Sequence, residues 1–377
     1  MNYFRKILFW LHLVAGVIGG IVIFIMCVTG ALLSFEKDIA EFAERDMRYV
    51  APTENTQKLS VKDILAKVAE AKPNAKPSAI ALPNKTNATW QISLGRERQI
   101  FVNPFTGEIT GEGASGWRGF FRTMTDLHRW IALSGEGRPI GKAITGACNL
   151  MFLFLAISGI YIWFPRRFSW KHFKAALTFR WKVTGKARDF NWHTVIGFWS
   201  SLILIILTLT ATVISYTWAT NLLYTLTGNE VPPQQQQQQN QQGEQPVILP
   251  ENLDAVWTKA ENHAPNRKTI SLRLPIAKDA AVFTIDEGIY WNIFGRSTLT
   301  IDAKTAEISN WETYGEQNSA RQIRTWFRFT HTGETGGFVG QLVGFFACIG
   351  GAILVYTGFA LAIRRLWNWR SKRATQL

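Results

Sequence analysis

Four histidines fall into two pairs of equivalent places, and imidazole is the side chain that most often offers a metal a neutral nitrogen. His12, Val14, Gly16, Thr29, Ser34 and Phe35 return 181 positions later as His193, Val195, Gly197, Thr210, Ser215 and Tyr216. The chain is an internal duplication, and the histidine was kept in both copies. Both copies lie in uncharged apolar runs, where an ionisable side chain is costly and marks a functional site by default. Two imidazoles can fill both axial positions of a haem iron without adding charge, which favours electron transfer over oxygen chemistry. His12 and His193, each close to the same end of its run, form one candidate pair of haem ligands. His128 and His331 form the second. Each stands shortly ahead of a later apolar run and is followed by a Gly-Glu step, Gly135 and Glu136 or Gly333 and Glu334.

A flat macrocycle between helices needs small residues beside its ligand. His12 is followed by Gly16, Gly19 and Gly20, and His193 at the same spacings by Gly197, Ser200 and Ser201, so both histidines are expected to look onto a cleared groove lined by Gly16 and Gly197. Close helix packing through small residues is the alternative use of the same pattern. A zinc or copper site is the competing chemistry for the second pair, but no carboxylate or cysteine cluster accompanies it, and two histidines alone make a poor closed metal site. His172 and His263 have no repeat partner and read as ordinary surface residues.

The elements that must position these groups follow from the uncharged runs. Ile7–Phe35, Ala143–Pro165, Phe190–Asn229 and Thr335–Ile363 hold 29, 23, 40 and 29 residues, and each exceeds the roughly 20 that a spanning helix needs. The first is too long for the core of a cleaved signal peptide and reads as a retained anchor. Three short segments carry fifteen basic residues and one acid: the stretch before Ile7, 166–193 and 364–377. They account for the whole formal net charge of +14, which places both termini and the short loop on the cytoplasmic side. The basic excess is thus an orientation signal and does not point to nucleic acid. Cys27, Cys148 and Cys348 all sit in apolar runs, so the long loops fold without disulfides.

The duplication continues through those loops. Ala69, Glu70, Pro73, Asn74 and Pro83 recur as Ala260, Glu261, Pro265, Asn266 and Pro275, and at an offset of 199 Gly141 and Gly159 align with Gly340 and Gly358. Ser60–Lys72 reads as an amphipathic helix with Ser60 as N-cap and Val61, Ile64, Leu65 and Val68 on one face. Short strands are expected over 79–82, 89–94 and 98–102. Asn103, Pro104 and Gly107 then suit a turn with a left-handed residue leading into 108–110. The second copy has Ala303 and Ala306 where the first has Pro104 and Gly107, so its turn is free to differ. The proline- and glutamine-rich stretch between Val231 and Pro246 cannot bury a core and reads as a disordered loop.

Helix, small domain with an Asn-Pro-x-Thr-Gly-Glu hairpin, helix, repeated once, resembles the PepSY-associated transmembrane family over nearly the whole chain. Within that family it is similar to the FoxB-like inner-membrane ferric-siderophore reductases. The resemblance implies two b-type haems in a four-helix bundle that carries electrons outward to a ferric siderophore in the periplasm. The expected fold is a membrane all-α four-helix bundle from a tandem duplication, with two small extracytoplasmic α+β PepSY-like domains. Its segments are a first span over 1–35, a periplasmic domain over 36–139, a second span over 140–165 and a basic cytoplasmic loop over 166–193. A third span over 194–218, a second domain with the glutamine-rich loop over 219–337, a fourth span over 338–363 and a basic tail over 364–377 complete it.

Under this orientation the substrate face carries Arg118, Phe120, Phe121 and Arg122 ahead of His128, and Arg321, Arg324 and Arg328 ahead of His331. The last three share a helical stripe that could hold haem propionates, lipid headgroups or an oxygen-rich iron chelate. No hydrolytic dyad and no nucleotide-binding fingerprint is visible, so electrons are expected from outside the chain. The basic loop with Trp170, Trp181 and Trp192 could dock an acidic flavoprotein, or a membrane quinol could donate. Two further classes stay open: a non-redox membrane protein that regulates a periplasmic peptidase or senses a ligand, and a metal or siderophore transporter.

Overall fold

A chain segment in lipid must satisfy every backbone polar group within itself, so the apolar runs can only become helices. The computed structural model describes residues 3–51, 57–95, 98–164, 170–232, 249–276, 279–288 and 294–374. In chain order the helices are α1 (Tyr3–Leu33), α2 (Glu36–Ala43), α3 (Arg45–Arg48), α4 (Val61–Ala71), α5 (Ser115–Trp130), α6 (Arg138–Trp163), α7 (Trp170–Ala176), α8 (Gly185–Ser215), α9 (Thr217–Leu226), α10 (Leu253–His263), α11 (Ser319–His331) and α12 (Gly337–Ala374). Between α4 and α5 run strands β1 (Ala79–Pro83), β2 (Trp90–Leu94), β3 (Arg98–Val102) and β4 (Ile109–Glu112). Between α10 and α11 run β5 (Thr269–Arg273), β6 (Ala280–Asp286), β7 (Arg296–Asp302) and β8 (Ile308–Glu312). The glutamine-rich residues 233–248, together with Arg166 and Arg167, lie outside the described residues.

Two compact units divide the chain: 1–36, 123–223 and 326–377 make one, 37–122 and 224–325 the other. In the first unit four helices are long and apolar enough to cross a membrane, over Tyr3–Leu33, Gly135–Trp163, Gly185–Ser215 and Glu334–Trp369. Two of them outrun the expected boundaries. α8 begins at Gly185, so His193 lies within the helix, and α12 runs through Arg364 and Arg365 to Ala374. Arginine and lysine are good helix formers whose stems can lie along apolar surface while the charge reaches water, so the helix need not stop where the charge begins. Buried Asp189 also ties the two extensions together, accepting from Arg188 at 2.9 Å and facing Arg364 at 3.2 Å.

α1 and α8 each pack against α6 and α12. Small residues allow the approach: a side chain at Gly20 would meet the Phe359 ring at 2.6 Å, and one at Gly351 would meet Cys27 Sγ at 2.7 Å. Asn149 Nδ2 locks α6 to α8 by donating to the Thr208 carbonyl at 3.1 Å and to Thr212 Oγ1 at 3.0 Å. All three cysteines are free thiols.

The second unit holds one eight-stranded antiparallel sheet in the order β4-β3-β2-β1-β5-β6-β7-β8. The two expected small domains are therefore halves of a single sheet, joined where β1 pairs with β5. Their register is that of a two-fold contact. Ile80 pairs with Leu272, its own counterpart at the offset that relates Pro83 to Pro275, while Ala79 pairs with Arg273 and Ala81 with Ser271. A self-complementary pairing is what two copies of one edge strand make most readily. α4 and α10 lie against each other, and their apolar faces share one buried core that includes Val61, Ile64, Val256 and Ala260. Trp90 and Trp257, one from each half, meet there with ring centres 4.9 Å apart. Ser60 caps α4 as expected, accepting from the Asp63 amide at 3.1 Å.

The second turn does not differ from the first. Gly107 and Ala306 take the same left-handed conformation, with φ of 75° and 56°. Each amide donates to the carbonyl four residues back, Asn103 or Asp302, at 2.9 Å. Asn103 Oδ1 accepts from the Phe105 and Thr106 amides, and Asp302 Oδ1 from the Lys304 and Thr305 amides. These bonds outweigh the roughly 1 kcal/mol that a left-handed alanine costs.

Glu44 is the most buried acid of this unit. Its carboxylate receives Arg118 at 2.5 and 2.9 Å and Arg48 at 2.8 Å, and the Ala114 amide at 3.2 Å. Burial pushes the carboxyl up, but the hydrogen bonds and charges of Arg118 and then Arg48 outweigh it and hold the group below its ordinary 4.5. A lowered folded value means this stability is complete above 4.5 and is lost as pH falls through the folded value. Glu44→Gln is expected to remove about 3 kcal/mol, lowering the melting midpoint of the sheet unit in the intact chain by roughly 6–12 °C at neutral pH. The variant should also lose less stability on acidification than the wild type. Identical acid profiles for the two proteins would contradict this role.

Candidate functional site

All four repeat-related histidines lie in the unit with the four long helices. His12 stands on α1 and His193 on α8, the helices that share both neighbours. His128 and His331 stand at the C-terminal ends of α5 and α11. Every one of the four turns its Nδ1 to an oxygen. His12 Nδ1 is 2.8 Å from Ser158 Oγ, His193 Nδ1 is 2.9 Å from Thr357 Oγ1, and His128 Nδ1 is 2.9 Å from Thr29 Oγ1. His331 Nδ1 is 2.9 Å from the Leu207 carbonyl and 3.4 Å from Thr210 Oγ1.

The direction of these bonds can be worked out from the partners. A carbonyl only accepts, so His331 Nδ1 carries the proton. Thr29 Oγ1 already donates to the Ile25 carbonyl at 2.7 Å, and Thr357 Oγ1 to the Ile353 carbonyl at 2.8 Å. Ser158 Oγ stands 3.4 Å from the Leu155 carbonyl and only 2.8 Å from His12 Nδ1, so its proton is free to point either way. A hydroxyl whose one proton is committed can only accept from the ring. His331, His128 and His193 are therefore held with a proton on Nδ1 and the lone pair on Nε2. Among the described residues no Nε2 makes a hydrogen bond. This is the arrangement that prepares histidine as a metal ligand, because the partner on the far nitrogen sets both tautomer and ring orientation.

The hydroxyls obey the duplication. Ser158 and Thr357 are related by the offset of 199 and Thr29 and Thr210 by 181, so each half of the chain supplies the partners of its own histidines. Gly159 and Gly358 follow the same rule. A side chain at either would approach the Cε1 of His12 or His193 at 3.5 or 3.6 Å. Gly30 stands against His128 in the same way, at 3.3 Å from Cε1. The hydroxyl at the position before each conserved glycine was the available signal, and serine and threonine are so common in membrane helices that it does not stand out.

His128 and His331 face each other with ring centres 6.3 Å apart and planes inclined by 55°. One metal bonded to both at about 2 Å per nitrogen separates ring centres by roughly 6 Å, so the pair is spaced for a shared metal. All four histidines are partly buried. Seventeen residues separate His12 from Thr29 and His193 from Thr210 alike, which puts the two pairs at levels about 25 Å apart along the helices. Among the described residues no group of three His, Cys, Asp or Glu side chains gathers into a cluster that could hold a metal.

The groove expected beside His12 and His193 is only partly present. Side chains at Gly16 and Gly197 would meet nothing nearer than Leu155 at 3.8 Å and Leu354 at 3.5 Å, themselves repeat equivalents. Gly19 and Gly20 are instead used for packing, against Met151 and Phe359. Of the three stripe arginines on α11, Arg321 is engaged by Glu312 at 2.8 and 3.0 Å, while the Arg328 guanidinium lies 5.9 Å from the Phe329 ring. Arg324 is on the same helix. His263 is exposed and packs edge-on against Trp311, and the side chain of His172 lies outside the described residues.

Four membrane-spanning helices joined to an antiparallel sheet, with paired histidines inside the helical unit, define the class: a membrane protein with a sheet-bearing extramembrane unit. The model of the PepSY-associated TM region matches residues 9–365, and the chain belongs to that family. No curated protein matches the chain.

Two further glycines test the helical geometry. A side chain at Gly141 would run into the Trp130 carbonyl and one at the equivalent Gly340 into the Gly333 carbonyl, whereas Gly344 has nothing within 4 Å. Gly141→Ala and Gly340→Ala are expected to lower the thermal midpoint of the detergent-solubilised protein by several degrees, and Gly344→Ala to leave it within error. Equal midpoints for all three would contradict the close backbone approach.

Proposed function

We propose that this protein is a dihaem b-type reductase of the bacterial inner membrane, passing electrons across the bilayer to a ferric siderophore in the periplasm and releasing its iron as Fe(II). The observation that carries the reading is that four histidines, paired by the duplication, all turn Nδ1 to a protein oxygen. The four spans would form one bundle, with His12 and His193 holding one haem and His128 and His331 the other. The donor set fits. Two imidazoles suit an iron whose other positions are filled by a planar macrocycle, and the 6.3 Å spacing of the second pair agrees. Haem, when bound, supplies the one-electron exchange; Fe(II) then leaves the hard oxygen donors of a siderophore far more readily than Fe(III).

The remaining work belongs to residues of this chain. Ser158, Thr357, Thr29 and the Leu207 carbonyl keep the rings in register, Gly159, Gly358 and Gly30 leave room beside them, and Gly16 and Gly197 face only leucine methyls. The levels about 25 Å apart reach across most of a hydrocarbon core of about 30 Å. The charge bias puts the termini in the cytoplasm, so electrons from a quinol or an acidic flavoprotein would enter near His12 and His193. A ferric chelate would be met on the periplasmic side, with Arg324 and Arg328 of α11 as its candidate contacts and membrane lipid as their other partner. Arg321, already paired with Glu312, is less suited to that role than its two neighbours.

Haem content of the purified protein tests this reading. The pyridine haemochromogen assay is expected to give two haems per chain, with one lost in His12→Ala or His193→Ala and the other in His128→Ala or His331→Ala. A folded, colourless wild-type protein would overturn the reading and favour a regulatory or sensing role. Four single variants that all keep two haems would overturn the ligand assignment.

A further inference from the structure

The four long helices converge on a single point at Gly351 of α12. A side chain there would meet Cys27 Sγ at 2.7 Å, Phe152 Cζ at 3.2 Å and Leu204 Cδ2 at 3.6 Å, one atom from each of α1, α6 and α8. In sequence Cys27 lies between His12 and Thr29, and Leu204 between His193 and Thr210, so this junction falls between the two histidine levels. Polar groups are buried on both sides of it. Ser158 follows Phe152 on α6 and meets His12, while Asn149 precedes it and donates to the Thr208 carbonyl at 3.1 Å. The duplication filled the junction unequally. Phe152 and Gly351 are repeat equivalents at the offset of 199, and only one of them carries a ring. With Phe152 Cζ already 3.2 Å from the place of a methyl at Gly351, a second ring has no room. Ile23 and Leu204, equivalents at 181, are 1% and 2% exposed and belong to core clusters that both include Phe152.

A buried water needs space for itself and several polar partners. The junction offers neither, because even a methyl would lie inside contact distance and its neighbours are a thiol sulfur and two apolar carbons. A proton or a hydrated metal ion passing here would have to give up its partners where no water replaces them, which is costly. An electron tunnels through packed atoms and needs no such path. We propose that Phe152 is the specificity-determining residue for passage through this unit, a ring that closes the interior to water, protons and metal ions and leaves it open to electrons. The closure stands on the contacts at Gly351, and the electron part rests on the dihaem reading. A chain that carried metal across the membrane would instead need this point open.

Proton leak through the purified full-length protein tests it, measured in liposomes with a pH-sensitive dye trapped inside and a potential set by potassium and valinomycin. Wild-type protein is expected to leak no faster than protein-free liposomes, and Phe152→Asn several-fold faster at an unchanged melting midpoint. Phe152→Ser gives a second polar variant with the same expectation, and Phe152→Leu, which keeps apolar carbon at the junction, should stay tight. Phe359→Asn is the control: that ring packs against Gly20 eight residues further along α12, and its loss should leave the leak at the wild-type rate. Folded Phe152→Asn or Phe152→Ser that stays tight, a leaky Phe359→Asn, or a leaky wild type would each overturn the inference. Haem content of the same liposomes separates it from the functional reading, since a colourless but tight wild type with leaky Phe152→Asn overturns the dihaem reading and upholds the closure.

Discussion

Hydrogen bonds from imidazole Nδ1 to oxygens on neighbouring helices are the interaction on which the proposed chemistry depends. In a medium without water an unpaired ring nitrogen costs several kcal/mol, so each histidine must spend one nitrogen on protein and can offer only the other. At three of the four the partner decides which. Thr29 and Thr357 bond back to their own helices, and that local bond turns each hydroxyl into a pure acceptor. The same threonine back-bond that would otherwise only soften a helix thereby fixes the tautomer of a histidine contributed by another segment.

The duplication explains why this happens four times with so few residue types. Each copy brings a histidine near the start of its first helix, a threonine seventeen residues later, a second histidine ahead of its next helix, and a hydroxyl followed by glycine within that helix. Folding of one copy alone would present two unmatched ligands. Two copies bring His128 to His331, and the sheet shows the same logic at another scale, since the edge strand of one half is closed only by the edge strand of the other. An exposed edge is an aggregation hazard, and pairing β1 with β5 removes it.

Much of this was legible in the sequence. The spans, the meeting of His128 with His331, the Ser60 cap and the strand positions follow from hydrophobic period, repeat spacing and turn chemistry. The union of the two domains was not, because the β1–β5 pairing joins residues nearly two hundred apart and each half reads as complete by itself. Residue type left the turn at Ala306 free to differ, and the aspartate side-chain bonds make it match the first. Gly19 and Gly20 looked like cofactor clearance and serve helix packing, a use with the same sequence pattern. The Ser158 and Thr357 partners were hidden by how ordinary such residues are in apolar helices.

The chain belongs to the PepSY-associated TM family, and the imidazoles make the case for the proposed chemistry. The most direct measurement is low-temperature electron paramagnetic resonance of the purified, oxidised protein. Two histidines on each iron predict ferric signals of two low-spin, six-coordinate haems and no high-spin signal from intact protein. A dominant high-spin haem, or no ferric haem signal at all from folded protein, would contradict it.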